Sequence, residues 1–185
     1  MPASLTVAAA TRTEALAAGW ALRGRARVVR VGVACRRGMP ETSGPLVVCG
    51  LAGALGAGLA PGTVLVPEEL AMGSEWTVGC DAGLVRRLSE AAHRLGLEPE
   101  NGPLLTVPSL VTGRERGEWA GRGPLSVDME SATLVRAARG PAAVVRVVLD
   151  TPDRELLRSL PWAPAYAVRA GAVIREALQG AMPPF

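Results

Sequence analysis

The sequence predicts an α/β domain built on a mixed β-sheet. Short runs of buried-strand type, rich in Val, Leu and Ala, alternate along the chain with segments of helical character. The most informative stretch is a helix predicted over 132–138. It lies between Leu125–Ser131 and the apolar run Val144–Asp150, and Gly140-Pro141 ends it. With 185 residues, no internal repeat and no linker, the chain is predicted to form one domain, 1–185.

The first half of the chain carries the first predicted helix and a glycine-rich stretch. Thr11-Arg12-Thr13-Glu14 opens the helix, which Gly19 is expected to end. The segment 36–44 is predicted to be a loop because it contains glycine, proline and serine. Residues 50–58 are rich in glycine and follow a buried strand. The predicted strands of this half are 5–10, 28–34, 46–49 and 63–66.

The second half contains the longest helical patterns. Apolar residues at helical spacing predict a helix over 83–95, and a final amphipathic helix is predicted over 165–179. Residues 104–107 and 110–112 are strand-like, and 114–123 are expected to form a polar loop or a short helix.

Composition excludes several classes of function. The 20 basic residues are all Arg, so a lysine Schiff base is excluded, and the net charge of +3 is mild. The Arg residues are scattered, which does not indicate a nucleic-acid interface. Three cysteines without Cys-x-x-Cys spacing and the single His93 make a zinc site unexpected. We therefore expect no metal, no cofactor and no nucleic-acid partner.

The same features predict a cytoplasmic protein. Three unpaired thiols suit a reducing compartment. The N-terminal residues lack a basic segment followed by a long apolar one, so no signal peptide is predicted. Prolines and glycines interrupt the uncharged stretch 42–67, so no membrane insertion is expected.

The glycine-rich stretch has two interpretations. A dinucleotide-binding loop would need Gly-x-Gly-x-x-Gly, whereas Gly53-x-x-Gly56-x-Gly58 has the spacing reversed. Pro61-Gly62 also leaves too little room for a crossover helix. The better interpretation is a strand end whose small residues allow close approach of the backbone to a ligand.

Four acidic residues stand at predicted junctions of strands and helices, where α/β sheets place binding sites. Each also has an ordinary structural interpretation. Glu14 can complete a capping box with Thr11, and Glu130 suits the first turn of a helix through its dipole. Asp150 can cap the turn that begins at Thr151-Pro152. The fourth residue is Asp128, two positions before Glu130.

Two motifs carry a family resemblance. Val127-Asp128-Met129-Glu130-Ser131 is followed by Arg146-x-x-x-Asp150, and Gly50-Leu51-Ala52-Gly53 is followed by Pro61-Gly62-Thr63-Val64. With these motifs the chain resembles the nucleoside phosphorylase and nucleosidase superfamily over nearly its whole length. It looks most like the hopanoid-associated phosphorylase group, which is implicated in removing adenine from adenosylhopane. Leu51 departs from the pattern, since many relatives have Ser or Thr there.

The resemblance implies a fold and a set of roles. The fold is a single-domain, partly barrel-like mixed sheet flanked by helices. Asp150 would protonate the purine at N7, and Glu130 would bind both ribose hydroxyls above Met129. In the nucleosidase branch a carboxylate at the position of Glu14 activates water. The implied catalytic residues are Asp150 and Glu14, and the implied substrate-binding residues are Glu130, Met129, Gly53, Ala52, Arg146 and Asp128.

The predicted reaction is cleavage of the N-glycosidic bond of a purine nucleoside or a 5′-substituted adenosine such as methylthioadenosine. Hydrolysis is favoured because 46–49 carry no Arg to bind phosphate, and Glu14 would repel that anion. A phosphate-dependent phosphorylase remains the alternative, with phosphate as a second ligand. A nucleoside-binding protein without turnover is the alternative from another class. A homo-oligomer is expected.

Overall fold

The computed structural model describes residues 5–42, 44–73 and 76–180, so Ser43 of the predicted loop lies outside the described residues. Strands and helices alternate within them. The strands are β1 (Thr6–Ala9), β2 (Arg27–Arg30), β3 (Leu46–Ala54), β4 (Val64–Leu65), β5 (Glu69–Met72), β6 (Trp76–Gly79), β7 (Leu104–Thr106), β8 (Ser126–Asp128) and β9 (Ala142–Asp150). The helices are α1 (Arg12–Leu22), α2 (Ala82–Arg94), α3 (Arg114–Ala120), α4 (Ser131–Ala137), α5 (Leu156–Ser159) and α6 (Ala163–Gln179), with 3₁₀ turns at Val33–Cys35 and Leu160–Trp162.

One mixed sheet joins the strands, with β3 and β9 at its centre. Its order is β2-β1-β3-β8-β7-β5-β6, and β9 pairs with both β3 and β4. β3 runs parallel to β1 and β9, whereas β8 pairs with the end of β3 in the antiparallel sense. The register of β3 against β9 shifts between Ala52 and Gly53. The predicted mixed sheet flanked by helices is confirmed.

The two faces of the central strands build two cores. Val47 of β3 and Val145 of β9 belong to the core covered by α1, α2 and α6. Val48 and Val144, one position along, belong to the core on the opposite face, which includes Leu134 of α4. This alternation is the period-two pattern of a strand buried on both faces. It explains why these strands are continuous apolar runs in the sequence.

Helix α1 is longer than predicted. It passes through Gly19 and ends at Leu22, where Arg23 takes the left-handed cap conformation at φ 49°. Ala21 and Leu22 are buried, and a Cβ at Gly171 of α6 would lie only 2.8 Å from the Cβ of Ala21. Packing of the last turn against α6 therefore outweighs the tendency of glycine to end a helix.

The second predicted strand is shorter than expected. β2 ends at Arg30 instead of continuing to Ala34. Gly32 has φ 79°, and Ala34 and Cys35 have φ 51° and 58°, so the chain turns out of the sheet. The β-rich composition did not reveal this turn because neither Ala nor Cys favours the left-handed region.

The strand-like run 110–112 is not a strand. Val111 is buried in a small third cluster with Leu55, Leu105 and Val127, in irregular backbone. A segment that is buried without pairing to a strand can have the same apolar sequence as a strand, which is why 110–112 was predicted to be one. The hairpin of β5 and β6, by contrast, was not predicted, because its residues mix polar and apolar types without clear alternation.

None of the helices in the described ranges is both long enough and apolar enough to cross a membrane.

Candidate active site

The acidic residues singled out from the sequence come together at one edge of the sheet. Glu14 follows β1 in the first turn of α1, and Asp150 is the last residue of β9. Asp128 ends β8, and Glu130 is the residue that precedes α4. Because β1, β3 and β9 are parallel, their carboxyl ends lie at the same edge, and β8 joins β3 there from the opposite direction.

Glu14 is a buried carboxylate held by two backbone amides. Its Oε2 accepts a hydrogen bond from the N–H of Thr11 at 2.7 Å, and its Oε1 accepts one from the N–H of Leu51 at 2.8 Å. The Thr11 hydroxyl accepts from the N–H of Glu14, so the capping box is present. Capping uses one oxygen only, while the other accepts from the backbone of β3 at Leu51. Glu14 therefore caps helix α1 and also lies in the candidate site.

Arg146 gathers three acidic side chains around one guanidinium. It is 1% exposed, and its Nη2 lies 2.5 Å from Asp128 Oδ2 and 3.2 Å from Glu130 Oε2. Its Nη1 lies 3.8 Å from Glu14 Oε1 and has no hydrogen-bond partner among the described residues. Burial alone would lower the pKa of Arg146, but the three carboxylates together raise it above its usual value. The buried cation thus holds the acidic cluster together.

Asp128 is engaged on both of its oxygens by the protein itself. Oδ1 accepts from the Thr106 hydroxyl at 2.7 Å, and Oδ2 accepts from the Ser131 hydroxyl at 2.5 Å. The Ser131 hydroxyl also accepts from Nε and Nη2 of Arg146 at 3.2 and 3.1 Å. With Arg146 on its other side, Asp128 is placed to support the cluster.

Glu130 is held from two sides. Its Oε1 accepts a hydrogen bond of 2.8 Å from the N–H of Ala34, and its Oε2 accepts from Arg146 at 3.2 Å. Burial raises the pKa of Glu130, and Arg146 opposes that rise. Ala34 adopts the left-handed conformation, which costs a non-glycine residue about 1–3 kcal/mol. The turn that cut β2 short therefore delivers a backbone donor to Glu130.

At Gly50, β3 passes close to the acidic cluster. A Cβ built there would lie 2.2 Å from Glu14 Oε1 and 2.6 Å from Arg146 Nη1. Both distances are far below van der Waals contact, and both neighbours are fully buried. The glycine requirement at this position is thus steric, which gives a physical reason for the Gly-x-Ala-Gly motif.

Asp150 forms a buried ion pair that the sequence did not reveal. It is 4% exposed, and its Oδ2 accepts a hydrogen bond from Nη2 of Arg116 in α3. Burial raises the pKa of Asp150, whereas Arg116 opposes that rise. The turn after β9 is capped by Thr151, whose hydroxyl accepts the N–H of Arg154 at 3.2 Å. Asp150 is therefore left free of the capping role.

Gly53 and Met129 lie beside this ion pair. A Cβ at Gly53 would lie 3.1 Å from Asp150 Oδ1 and 3.3 Å from Arg116 Nη1. Gly53, Met129, Arg116 and Asp150 line a common small cavity, to which Asp128 also contributes. Ala52, the remaining predicted contact, is buried against the core on the α4 face of the sheet.

Burial makes the thiols of Cys49 and Cys35 poorly acidic. Cys49 is fully buried in the core below the site, and burial raises the pKa of its thiol to about 12. Burial also raises the pKa of Cys35 to about 11, with Glu130 and Asp128 adding to the effect. No group of three His, Cys, Asp or Glu side chains in residues 5–42, 44–73 and 76–180 is arranged to hold a metal ion.

A family comparison decides what kind of protein carries this site. The family model described as the phosphorylase superfamily matches residues 8–179. The chain belongs to the phosphorylase superfamily. This result confirms the superfamily that the two motifs indicated, while the hopanoid-associated group stays a prediction. A search of curated protein sequences finds no match for this phosphorylase-superfamily chain.

Solved structures show the same fold. A methylthioadenosine nucleosidase mutant from Helicobacter pylori, with 5′-methylthioadenosine in its active site, matches with a TM-score of 0.81 at 14% identity, covering 96% of this chain and 99% of that one. A futalosine hydrolase mutant from the same organism matches with a TM-score of 0.79 at 14% identity, covering 94% of this chain and 97% of that one. The S-adenosylhomocysteine nucleosidase of Streptococcus pyogenes matches with a TM-score of 0.79 at 18% identity, covering 98% of each chain.

Proposed function

We propose that this phosphorylase-superfamily protein hydrolyses the N-glycosidic bond of a purine nucleoside. The observation that carries the proposal is that the buried carboxylates Glu14, Glu130 and Asp150, together with buried Asp128, lie at one edge of the sheet. Several buried ionisable side chains gathered at one edge of a sheet are typical of a functional site. The solved structures of similar fold include nucleosidases and a hydrolase, which supports this choice of reaction.

In this proposal Glu14 activates the attacking water. The backbone amides of Thr11 and Leu51 hold its carboxylate in one orientation. A fixed carboxylate is suited to accept a proton from water as that water attacks the anomeric carbon. Its negative charge also stabilises the oxocarbenium-like cation that forms as the base departs.

Glu130 binds the ribose, and Asp150 protonates the base. The amide of Ala34 and the guanidinium of Arg146 fix Glu130, whose oxygens can accept from the two ribose hydroxyls above Met129. Asp150 donates its proton to purine N7, so that the base leaves as a neutral molecule. Burial of Asp150 supports this role, because it raises the pKa of the carboxyl and so favours the protonated form, against the opposing effect of Arg116.

Water is the nucleophile that this geometry favours over phosphate. Arg146, the cation closest to Gly50, is surrounded by three carboxylates that would repel a phosphate anion. Arg12, Arg36 and Arg37 are exposed, and none has a described contact with the acidic cluster. A phosphate-binding cradle of cationic side chains is therefore not part of the described site.

The test is a base-release assay with several nucleosides. The protein is incubated with inosine, adenosine, methylthioadenosine and an adenosylated lipid analogue, with and without phosphate, and free base is followed by chromatography. Free reducing sugar at a phosphate-independent rate supports hydrolysis. Ribose 1-phosphate would show a phosphorylase instead. Tight binding without release from any of the four would leave a nucleoside-binding protein.

The 5′ substituent and the assembly belong to the same proposal. The resemblance to the hopanoid-associated group keeps 5′-substituted adenosines, including adenosylhopane, among the candidate substrates. The homo-oligomer and the cytoplasmic location stay predictions, and light scattering of the purified protein tests the first of them.

A further inference from the structure

Helix α3 has an unusual interior residue. Of its seven residues, Arg114–Ala120, the buried one is Arg116, at 2% exposure. A short surface helix normally buries an apolar side chain, because burying an unpaired charge is costly. The packing of α3 therefore does not explain Arg116, and the reason must lie in what its guanidinium contacts.

The guanidinium of Arg116 is anchored at two points at the end of the central strands. Nη1 donates a hydrogen bond of 2.5 Å to the carbonyl oxygen of Ala54, the last residue of β3, and Nη2 donates to Asp150. Gly53 leaves the space that both side chains need. The two anchors tie the helix, the end of β3 and the end of β9 to one another.

We propose that Arg116 is a positioning residue, which holds the carboxyl group of Asp150 in the orientation required for protonation of the base. This inference rests on the proposed function. A planar guanidinium fixed by a backbone carbonyl offers a rigid partner, so the Asp150 side chain keeps one rotamer before substrate arrives. Preorganisation of this kind lowers the barrier because the acid need not be reoriented during reaction.

The charged groups near Asp150 set the expected pH behaviour. They include Arg116 on α3, Glu155 before α5, and Asp128, which lines the same cavity and is held by Arg146. Burial has the largest effect and raises the pKa of Asp150, while Arg116 opposes that rise and Glu155 adds to it. A general acid acts while protonated, so the rate falls as pH rises through its pKa. Removal of the guanidinium should therefore move this alkaline limb to higher pH.

The experiment compares Arg116→Met with Arg116→Lys by their pH profiles of base release. Arg116→Met should lower kcat by about 100-fold, because the acid is misplaced, with KM changed by only a few-fold. Its alkaline limb should move up by about one pH unit or more, since a neighbouring opposite charge lowers a carboxyl pKa by that amount. Arg116→Lys keeps the positive charge, so the alkaline limb of its pH profile should stay where it is in the wild type. Its kcat should still be lower than that of the wild type, although by less than in Arg116→Met.

The matched control is Arg114→Met on the same helix, whose side chain is 94% exposed and which should behave as wild type. Circular dichroism checks folding, and Arg116→Gln replaces Arg116→Met if the latter fails to fold. If the wild-type protein is active and Arg116→Met or Arg116→Gln keeps both its kcat and its alkaline limb, the positioning role is wrong. The proposed function would still stand in that case. A folded wild-type protein that releases no base from any nucleoside would overturn the proposed function, and this inference with it.

Discussion

The backbone N–H of Leu51 donates a hydrogen bond of 2.8 Å to Oε1 of Glu14. Many superfamily members are expected to have Ser or Thr at this position, which made Leu51 the main departure from the motif. The contact uses the amide, so the leucine side chain does not remove it. Glu14 is therefore anchored to the backbone of β3 whichever side chain follows Gly50.

Glu14→Gln should stop hydrolysis while leaving the fold intact. The amide is isosteric with the carboxylate and can still accept a hydrogen bond from Leu51 or Thr11, but it cannot take a proton from water. Loss of a general base typically lowers the rate by about 10²–10⁴-fold. The measurement is base release from the best nucleoside substrate, with nucleoside binding followed by calorimetry.

Thr11→Ala is the control for the capping role of Glu14. It removes the hydroxyl that accepts from the N–H of Glu14 but keeps the Thr11 amide that donates to the carboxylate. Loss of the cap should cost about 1 kcal/mol of stability, with activity preserved. A Glu14→Gln variant as active as wild type would leave the capping box as its role.

Sequence patterns were sufficient for the fold class and for the residues that assemble the acidic cluster. Buried apolar runs predicted β1, β3 and β9, and helical spacing predicted α2 and α6, because these elements are buried or strongly amphipathic. Glu14, Glu130 and Asp150 stood out because they lie at predicted junctions of strands and helices and because the family resemblance implies roles for them. Their roles are still to be tested, but the structure brings them to one edge of the sheet.

The parts that sequence could not predict depend on long-range contacts. Arg116 lies in a polar segment, and no local pattern indicates that its side chain turns inward to meet Asp150. The amide of Ala34 reaches Glu130 across 96 positions in the chain, through a left-handed turn without a propensity signal. Of the residues that support the site, Ser131 could have been found from the sequence, since it belongs to the same motif as Glu130.

Gly50→Ala should destabilise the protein. The added methyl group would meet Glu14 and Arg146, which are buried and held by several partners, so neither can move without loss of contacts. Overpacking of this kind costs about 1–3 kcal/mol. Urea denaturation followed by circular dichroism measures the change in the free energy of unfolding.

The matched control is Gly58→Ala in the same glycine-rich stretch. A Cβ at Gly58 meets no atom within 4 Å, so its effect on stability should be small. Equal stability of the two variants would show that Gly50 is not constrained by the acidic cluster.

Glu130→Gln should weaken the binding of ribosides. Replacing a charged, bidentate contact to the two ribose hydroxyls is expected to cost about 2–4 kcal/mol. The amide can still accept from Ala34, so the 33–35 turn should be retained. The measurement compares a riboside with its 2′-deoxyriboside in wild type and variant. The loss should be larger for the riboside, and equal losses would show that Glu130 does not contact the 2′-hydroxyl.

Asp150→Asn should abolish base release while nucleoside binding stays within a few-fold of wild type. The asparagine oxygen can still accept from Arg116, so the side chain should remain in place, but it carries no proton for purine N7. Loss of a general acid lowers the rate by about 10²–10⁴-fold. The residual rate should also lose the alkaline fall that titration of Asp150 gives the wild type.

Asp153→Asn, an exposed aspartate in the turn that follows, is the control and should keep full activity. An Asp150→Asn variant that releases base at the wild-type rate would show that the ion pair with Arg116 is structural and that the proton comes from elsewhere.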